Sequence, residues 1–333
     1  MKTSITARAH TNIALIKYWG KRDQRLFLPT NSSLSLTLNE FYTDTRTTFL
    51  EDEESDLFFL NGVKQSDAEL KKVQRFLNLF REQAGIEQPI QIESHNHVPT
   101  AAGLASSASA YAALGLSLNH LLGLNMPLGQ LSTFVRQGSG SATRSLFGGF
   151  VEWDMGTDSE SSQAIPIDDA SWDIAMITVP VNTKQKTLSS REGMQRTVET
   201  SAFYPAWIES AKSDLIAIKE AIKDKDFIRM GEITEANGMK MHGTMLGAIP
   251  PFSYWEPLTV SVLNRVREIR ESYGLPCYFT MDAGPNVKVL CRYSDSQKIK
   301  ELLDGCFPTT PSIISTVGPG AHLLEENTKG WLP

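Results

Sequence analysis

The chain has 333 residues, 41% of them hydrophobic and 21% charged, the balance of a soluble globular protein long enough for about two domains. Its 32 Lys and Arg against 38 Asp and Glu leave a net charge of −6, whereas a protein built to hold a nucleic-acid backbone carries a basic surplus. These figures exclude a disordered chain and a membrane-embedded one, and they argue against bulk nucleic-acid binding.

In chain order, Met1 to Thr6 lack the apolar core of a signal peptide, and the first 60 residues are strand-rich. Leu34–Leu38 and Thr43–Leu50 alternate, and Leu57–Leu60 runs into Asn61-Gly62, a hairpin turn pair. Ser66-Asp67-Ala68-Glu69 is a capping box, followed by Leu70, Val73, Phe76, Leu77 and Phe80 at helical spacing until Gly85. A short strand, Ile90–Glu93, precedes a small-residue helix from about Ala105 to Leu122. That helix carries too many Ser, Asn and His residues for a membrane span. Strands are expected at Phe150–Trp153 and Ile174–Val179, then mostly helix from Ser190 to Tyr273 with breaks at Pro205, Gly247 and Ile249-Pro250-Pro251. Strands Cys277–Met281 and Val287–Cys291 flank the turn Asp282-Ala283-Gly284-Pro285-Asn286. A helix, Asp295–Leu303, and a strand, Ile313–Thr316, finish the pattern. Elements in blocks, without βαβα alternation, predict an α+β protein with domains 1–184 and 185–333. The three cysteines, Cys277, Cys291 and Cys306, lack CxxC spacing and read as buried free thiols in the cytoplasm.

Five segments carry candidate chemistry. Pro99 to Ser109 (PTAAGLASSAS) is almost wholly small residues between strand and helix. Such a loop lets phosphate oxygens reach backbone N–H groups at a helix N terminus, with Ser106 and Ser107 offering hydroxyls to phosphate or Mg²⁺. The alternative is a tightly packed helix entering through a glycine turn. Neither GxxxxGK[ST] nor GxGxxG occurs. Ser139-Gly140-Ser141-Ala142-Thr143-Arg144 suits an anion, by hydroxyls and a guanidinium fork, or is a solvated turn. Asn12 to Arg22 crowds Lys17, Lys21 and Arg22 beside Tyr18 and Trp19, as an anionic-substrate pocket or a solvated strand end. Asp282 stands where a carboxylate commonly caps its own turn. Ser189-Ser190-Arg191, after Lys184 and Lys186, is ambiguous alone. His95 and His97 share a strand face without a third zinc ligand nearby in sequence, so partner-satisfied histidines are the default; His10, His120, His242 and His322 are isolated.

Together these segments resemble the GHMP small-molecule kinase superfamily and, within it, the diphosphomevalonate decarboxylases. The matching stretches are Asn12 to Lys21 (NIALIKYWGK), Pro99 to Ser107 (PTAAGLASS), Gln137 to Trp153 (QGSGSATRSLFGGFVEW), Ser189 to Gln195 (SSREGMQ) and Met281 to Lys288 (MDAGPNVK). They span the chain in family order. The resemblance implies a GHMP kinase fold with an N-terminal domain like ribosomal protein S5 domain 2, a homodimer, and an ATP- and Mg²⁺-dependent reaction. That reaction turns mevalonate 5-diphosphate into isopentenyl diphosphate, ADP, phosphate and CO₂ through transient 3-phosphorylation. It assigns catalysis to Asp282, Lys17 and Arg144, and the substrate to Tyr18, Trp19, Gly20, Lys21, Lys72, Ser139, Gly140, Ser141, Ala142, Thr143, Arg144, Ser190 and Arg191. ATP falls to Ser94, Asn96, Pro99, Gly103, Leu104, Ala105, Ser106, Ser107 and Lys71, and Mg²⁺ to Ser106. Arg191 departs from the threonine of some relatives.

Rivals on the same fold are a mevalonate 3-kinase, a decarboxylase of the monophosphate, and a silent ligand-binding regulator. Retention of Asp282, Lys17 and Arg144 argues against the 3-kinase and the silent protein. Lys21, Ser141 and Arg191 favour the diphosphate. Neither a nucleic-acid nor a membrane partner is expected.

Overall fold

The computed structural model describes residues 3–97, 106–182, 188–308 and 311–325. An eight-stranded sheet runs in the order His322–Leu323, Ser4–Ile16, Ser33–Phe49, Ile90–His97, Leu57–Leu60, Val63–Lys64, with Phe150–Trp153 and Ala164–Asp168 attached beside Ser33–Phe49. A second, antiparallel sheet orders Cys277–Met281, Val287–Cys291, Ala175–Val179 and Ile313–Ser315.

Strands Leu34–Leu38 and Thr43–Leu50 prove to be one, Ser33–Phe49. The polar pair Asn39-Glu40 that interrupts the alternation is not a turn but a docking point. Glu40 accepts bonds from Thr316 N (2.8 Å), Thr316 Oγ1 (3.0 Å) and Ser315 Oγ, and Asn39 N donates to Thr316 O (2.9 Å). The second sheet is thereby pinned to the first. One half of this strand pairs with Phe150–Trp153 and the other with Ile90–His97.

Local signals hold where the chemistry is local. Asn61 and Gly62 take positive φ (51° and 78°) in the hairpin joining Leu57–Leu60 to Val63–Lys64. Helix Asp67–Ala84 starts with Ser66 accepting from Glu69 N and stops at left-handed Gly85, which donates to Arg81 O. Glu69 pairs with Lys72 (2.6 Å). Helix Ser107–Leu121 needs its small residues to lie close to its neighbours: a Cβ on Gly115 would come within 2.4 Å of Val135 Cγ2. Ser109 and Ser117 hydrogen-bond Thr43 and Thr47 of the sheet (2.7 and 2.6 Å), so the hydroxyls buried there are satisfied.

Helix Leu128–Gly138 and strands Ser4–Ile16 and Ala164–Asp168 add to the elements expected from sequence. The segment 140–146 is a buried 3-10 turn, not a solvated one. Cys277 and Cys291 are buried free thiols, but Cys306 is exposed, a correction to the expectation for all three. It falls just beyond helix Tyr293–Asp304, past the last residue that helix buries. His97 is occupied structurally, 3.3 Å from Asp44 and stacked on Tyr42 (4.5 Å). No described helix is long and apolar enough to cross a membrane.

Strand Ala175–Val179 pairs with strands that follow it, so it belongs to the second sheet, while His322–Leu323 returns to the first. The 184/185 division lies outside the described residues. Four apolar clusters of the described residues follow this layout: one under helices Asp67–Ala84, Ser107–Leu121 and Leu128–Gly138, one between the sheets and helices Tyr204–Lys223 and Phe227–Leu246, one behind the second sheet against helices Pro257–Ser272 and Tyr293–Asp304, and a smaller one joining Trp19 and Ala283 to Tyr204, Trp207 and Tyr254. The cleft lies at the seam.

A glycine fixes the geometry there. Gly20 has φ +125°, and a Cβ on it would lie 1.8 Å from Tyr204 Oη, whose hydroxyl donates to Trp19 O (2.7 Å). Gly20→Ala is expected to destabilise the fold by about 2–4 kcal/mol through backbone strain and overpacking, read as a lower urea midpoint at unchanged slope. An unshifted midpoint would show that the turn adapts.

Candidate active site

Lys17 follows the last residue of strand Ser4–Ile16 and is 1% exposed. Its backbone is clamped on both sides: its N–H donates to Asn237 Oδ1 and its carbonyl accepts from Asn31 Nδ2, each at 2.9 Å. The ammonium donates to Asp282 Oδ1 at 2.7 Å. Burial pushes Lys17's pKa down, and the neighbouring Asp282 carboxylate works against that. Asp282 follows strand Cys277–Met281 and its side chain is 43% exposed. A salt bridge here spans the two sheets, which is why no local pattern could announce it.

Arg144 sits on the 3-10 turn Gly140–Leu146, 2% exposed. Its Nε donates to Ser35 Oγ (2.9 Å) and Asn12 Oδ1 (3.3 Å), and its Nη1 to Ser33 Oγ (2.5 Å). The Asn12 amide is oriented by donating to Ser141 O (2.9 Å) and Ser145 Oγ (2.8 Å). These hydrogen-bond partners are neutral. Burial pulls Arg144 down to about 10, which still leaves it charged near neutrality. A buried cation held mainly by neutral oxygens calls for an anion from outside.

Both groups face a cavity of about 370 Å³, lined also by Tyr18, Trp19, Lys21, Ser107, Ser139, Gly140, Ser141, Ser190 and Arg191. Tyr18 Oη is buried without a hydrogen-bond partner among the described residues, and burial raises its pKa. Lys21 Nζ lies 3.6 Å above the Phe27 ring, and Arg191 reaches the same ring. Burial and Arg191 lower Lys21 to about 8. Ser139 Oγ is 3.3 Å from Ser141 Oγ and donates to Ser107 Oγ at 3.4 Å, joining this arm to the helix Ser107–Leu121. Gly140 must be glycine: a Cβ would lie 2.8 Å from Trp153 and 3.0 Å from Tyr18.

The remaining expected site residues sit elsewhere. Ala142 and Thr143 are fully buried behind the 3-10 turn, where Thr143 donates to Gly140 O (2.7 Å). Ser94 and Asn96 bond Thr45 and Thr43 (both 2.9 Å), and Thr43 in turn reaches Ser109 in the first turn of helix Ser107–Leu121. Ser106 is the N-cap of that helix and makes no side-chain cap bond. Lys71 and Lys72 are exposed on helix Asp67–Ala84. Pro99, Gly103, Leu104 and Ala105 lie outside the described residues, as do Lys184 and Lys186.

Ser33, Ser35 and Asn12 were missed as site residues. A signal existed: Ser33 and Ser35 are the polar face of the strand whose other face is Leu34, Leu36 and Leu38. Tyr111, Phe27, Met194 and Met241 also line the cavity, and nothing in the sequence marks them.

A lysine-held carboxylate on one wall of a cleft that also gathers Lys21, Arg144 and Arg191 defines an enzyme that handles phosphate-bearing substrates, on the GHMP kinase fold. Comparison with known proteins narrows this. Residues 9–164 match the diphosphomevalonate decarboxylase-like N-terminal domain and residues 175–328 the mevalonate 5-diphosphate decarboxylase C-terminal domain. The diphosphomevalonate decarboxylase of Candida albicans is 38% identical over 358 residues, covering 97% of this chain and 99% of the relative. The solved structure of MDDEF in complex with MVAPP, AMPPCP and magnesium is 51% identical, with a TM-score of 0.92 over 97% of this chain and 99% of that one. The mevalonate diphosphate decarboxylase structure from Staphylococcus aureus is 48% identical, with a TM-score of 0.94 over 98% of this chain and 99% of its own. The chain belongs to the diphosphomevalonate decarboxylase family.

Proposed function

We propose that the protein catalyses the ATP-dependent decarboxylation of mevalonate 5-diphosphate to isopentenyl diphosphate, with ADP, phosphate and CO₂ as the other products, in the mevalonate pathway. The observation that carries this is the Lys17–Asp282 pair sharing one cavity with Arg144, a buried cation whose hydrogen bonds go to neutral oxygens. The substrate brings what those groups lack: a tertiary hydroxyl for Asp282, a carboxylate for Arg144, and a diphosphate for Tyr18, Lys21, Ser139, Ser141 and Arg191. The complex of MDDEF with MVAPP and AMPPCP supports the same pairing of ligands.

A tertiary alcohol is far too weak an acid for a carboxylate to ionise beforehand. Asp282 orients the hydroxyl and takes its proton as the oxygen forms its bond to the γ-phosphorus and ADP leaves. Lys17 holds Oδ1 during this transfer, fixing the direction of the carboxylate. The C3–O bond of the original alcohol then breaks, with its electron pair leaving on phosphate. The C1–C2 pair becomes the C2=C3 double bond, and C1 departs as CO₂. Once Asp282 has passed that proton to solvent and is again a carboxylate, it stabilises the positive charge developing at C3, while Arg144 keeps the substrate carboxylate in the plane from which it can leave.

Helix Ser107–Leu121 fits a triphosphate: no side chain caps its N terminus and no acidic residue occupies its first turn. Ser106 and Ser107 would supply the oxygen donors that Mg²⁺ takes, and the ion, when bound, neutralises phosphate charge. Among the described residues no group of three His, Cys, Asp or Glu could hold a metal by itself, consistent with an ion that enters with the nucleotide. The same reading carries a cytoplasmic homodimer. It also divides the chain into two domains, and the pairing of Ala175–Val179 with Val287–Cys291 supports counting that strand with the second.

Lys21 gives the reading a pH signature. Its pKa of about 8 without ligand means that it loses its proton above that pH, and an anion prefers the protonated form. kcat/KM for the diphosphate substrate is expected to fall as pH rises through about 8, and Lys21→Arg to remove that limb. An unchanged limb in Lys21→Arg would take Lys21 out of substrate binding.

The deciding experiment supplies mevalonate 5-diphosphate labelled at the carboxyl carbon with MgATP and follows ADP and CO₂ together. Equal amounts establish the decarboxylase. ADP without CO₂ means a 3-kinase. Neither product points to the monophosphate as substrate, or to a silent binder if that too is inert.

A further inference from the structure

Asp282 faces a second buried lysine. Lys288 lies on strand Val287–Cys291, 3% exposed, with Val287, Val289 and Leu290 around it fully buried and apolar. Its cross-strand neighbours on either side are Thr178 and Thr280, so it occupies the middle of a polar row in an otherwise apolar sheet face that carries Met176, Tyr278 and Leu290. Helix Phe227–Leu246 crosses this row closely: a Cβ on Gly238 would lie 3.0 Å from Thr280 Oγ1 and 3.9 Å from Lys17 Cε. An ammonium in the centre of a sheet is unfavourable unless something answers its charge. Lys288 Nζ donates to Asn286 O at 3.2 Å, and it stands 3.9 Å from Asp282 Oδ2.

The two lysines engage the carboxylate differently. Lys17 donates a short hydrogen bond to Oδ1, while Lys288 approaches Oδ2 beyond hydrogen-bond distance. At that separation the charge of an ammonium that is itself buried acts on Oδ2, and the Oδ2 lone pair is not engaged by that ammonium. We propose that Lys288 is a positioning residue for the reaction: through its charge it steadies Asp282 Oδ2 as the oxygen that accepts the substrate hydroxyl proton, while Lys17 holds Oδ1. The proposal rests on the decarboxylase reading above and adds a residue to it. It also explains why the strand end is built so firmly. Asn286, whose carbonyl holds Lys288, uses its side-chain oxygen to accept from Val181 N (2.7 Å) and Asn182 N (3.0 Å), tying the turn after Asp282 to the neighbouring strand's end.

The charged and titratable groups around Asp282 come from each element packed on it: Lys17 after the first strand, Arg144 on the 3-10 turn, His242 on helix Phe227–Leu246, and Lys288. His242 is fully buried against Trp255, and burial beside Lys17 lowers it to about 3, so it adds no charge at working pH. Among the described residues, Lys17, Arg144 and Lys288 place positive charge near the carboxylate, and removing one should be felt at Asp282 itself.

Two neutral variants separate charge from packing. Lys288→Met keeps length and loses both charge and hydrogen bond; Lys288→Gln keeps a donor for Asn286 O and loses the charge. Both are expected to lower kcat by about tenfold to a hundredfold, with KM for each substrate within about threefold, and to move the acid limb of kcat up by about one pH unit. A merely structural lysine lowers the folded fraction and leaves the limb where it was. A Lys288→Gln enzyme with wild-type kcat and an unmoved limb overturns the proposal, reducing Lys288 to a tie for the turn. Should Lys288→Met fail to fold, Lys288→Gln decides alone. Wild-type release of CO₂ and ADP, measured alongside, tests the underlying reading, so its failure is distinct from failure of the variants.

Discussion

Asp282→Asn is expected to lower kcat by at least about a thousandfold while leaving ATP affinity within about threefold. Asparagine is the informative replacement because of Lys17. That lysine is fully enclosed, and its ammonium donates to Asp282 Oδ1 at 2.7 Å. Alanine would leave it buried beside an empty space, a loss of about 3–5 kcal/mol in folding that would blur any kinetic result. Asparagine keeps an acceptor at nearly the same place and removes the negative charge, and with it the group that takes the hydroxyl proton. CO₂ and ADP should fall together, since carbon–oxygen cleavage depends on prior phosphorylation. Turnover near wild type would remove Asp282 from the chemistry. ADP formed at the normal rate with CO₂ abolished would assign it to the second half of the reaction alone.

What the sequence made legible divides along physical lines. Features set by neighbours in the chain were readable: the Asn61-Gly62 turn, the Ser66 cap with its Gly85 stop, and the helical run from Ser190 onward. Features set by packing were not. Asn39-Glu40 looks like a strand break because its polar side chains are read without Ser315 and Thr316, which arrive from the far end of the chain. The 140–146 segment reads as a turn by composition, yet it is buried because Trp153 and Tyr18 close over Gly140.

The candidate site shows the same division. Lys17, Arg144 and Asp282 were found through motif resemblance, and the cavity brings them together. From composition alone each had an ordinary alternative, because what makes it unusual is burial, and burial is not written locally. Arg144 is a surface arginine until Ser33, Ser35 and Asn12 are seen around it. Lys288 lies inside the Met281–Lys288 motif, but its significance is a distance to a residue six positions earlier across a turn, which no pattern along the chain expresses.

The second large effect is expected at Arg144, where folding and catalysis should part company. Arg144→Lys and Arg144→Met are both expected to lower kcat/KM by more than about a thousandfold, some 4 kcal/mol of transition-state stabilisation. Lysine retains the charge but not the planar fork, and its single ammonium cannot be held by Ser33, Ser35 and Asn12 while also gripping a carboxylate at two points. Stability should behave otherwise. In the free protein the guanidinium is a buried cation whose hydrogen bonds go to neutral oxygens, so methionine removes a desolvated charge and leaves two hydroxyls that can rotate toward other acceptors. The two contributions oppose each other, and the net change in unfolding free energy is expected to stay within about 2 kcal/mol. Urea denaturation without substrate, run beside steady-state kinetics, reads both quantities. A variant that loses stability and activity in proportion would make Arg144 a structural arginine. A normal turnover in Arg144→Met would leave the substrate carboxylate without its partner and move it elsewhere in the cleft. A stable and inactive Arg144→Met means that the fold carries this buried charge for the ligand's sake, its serines and asparagine holding the fork in place before the substrate arrives.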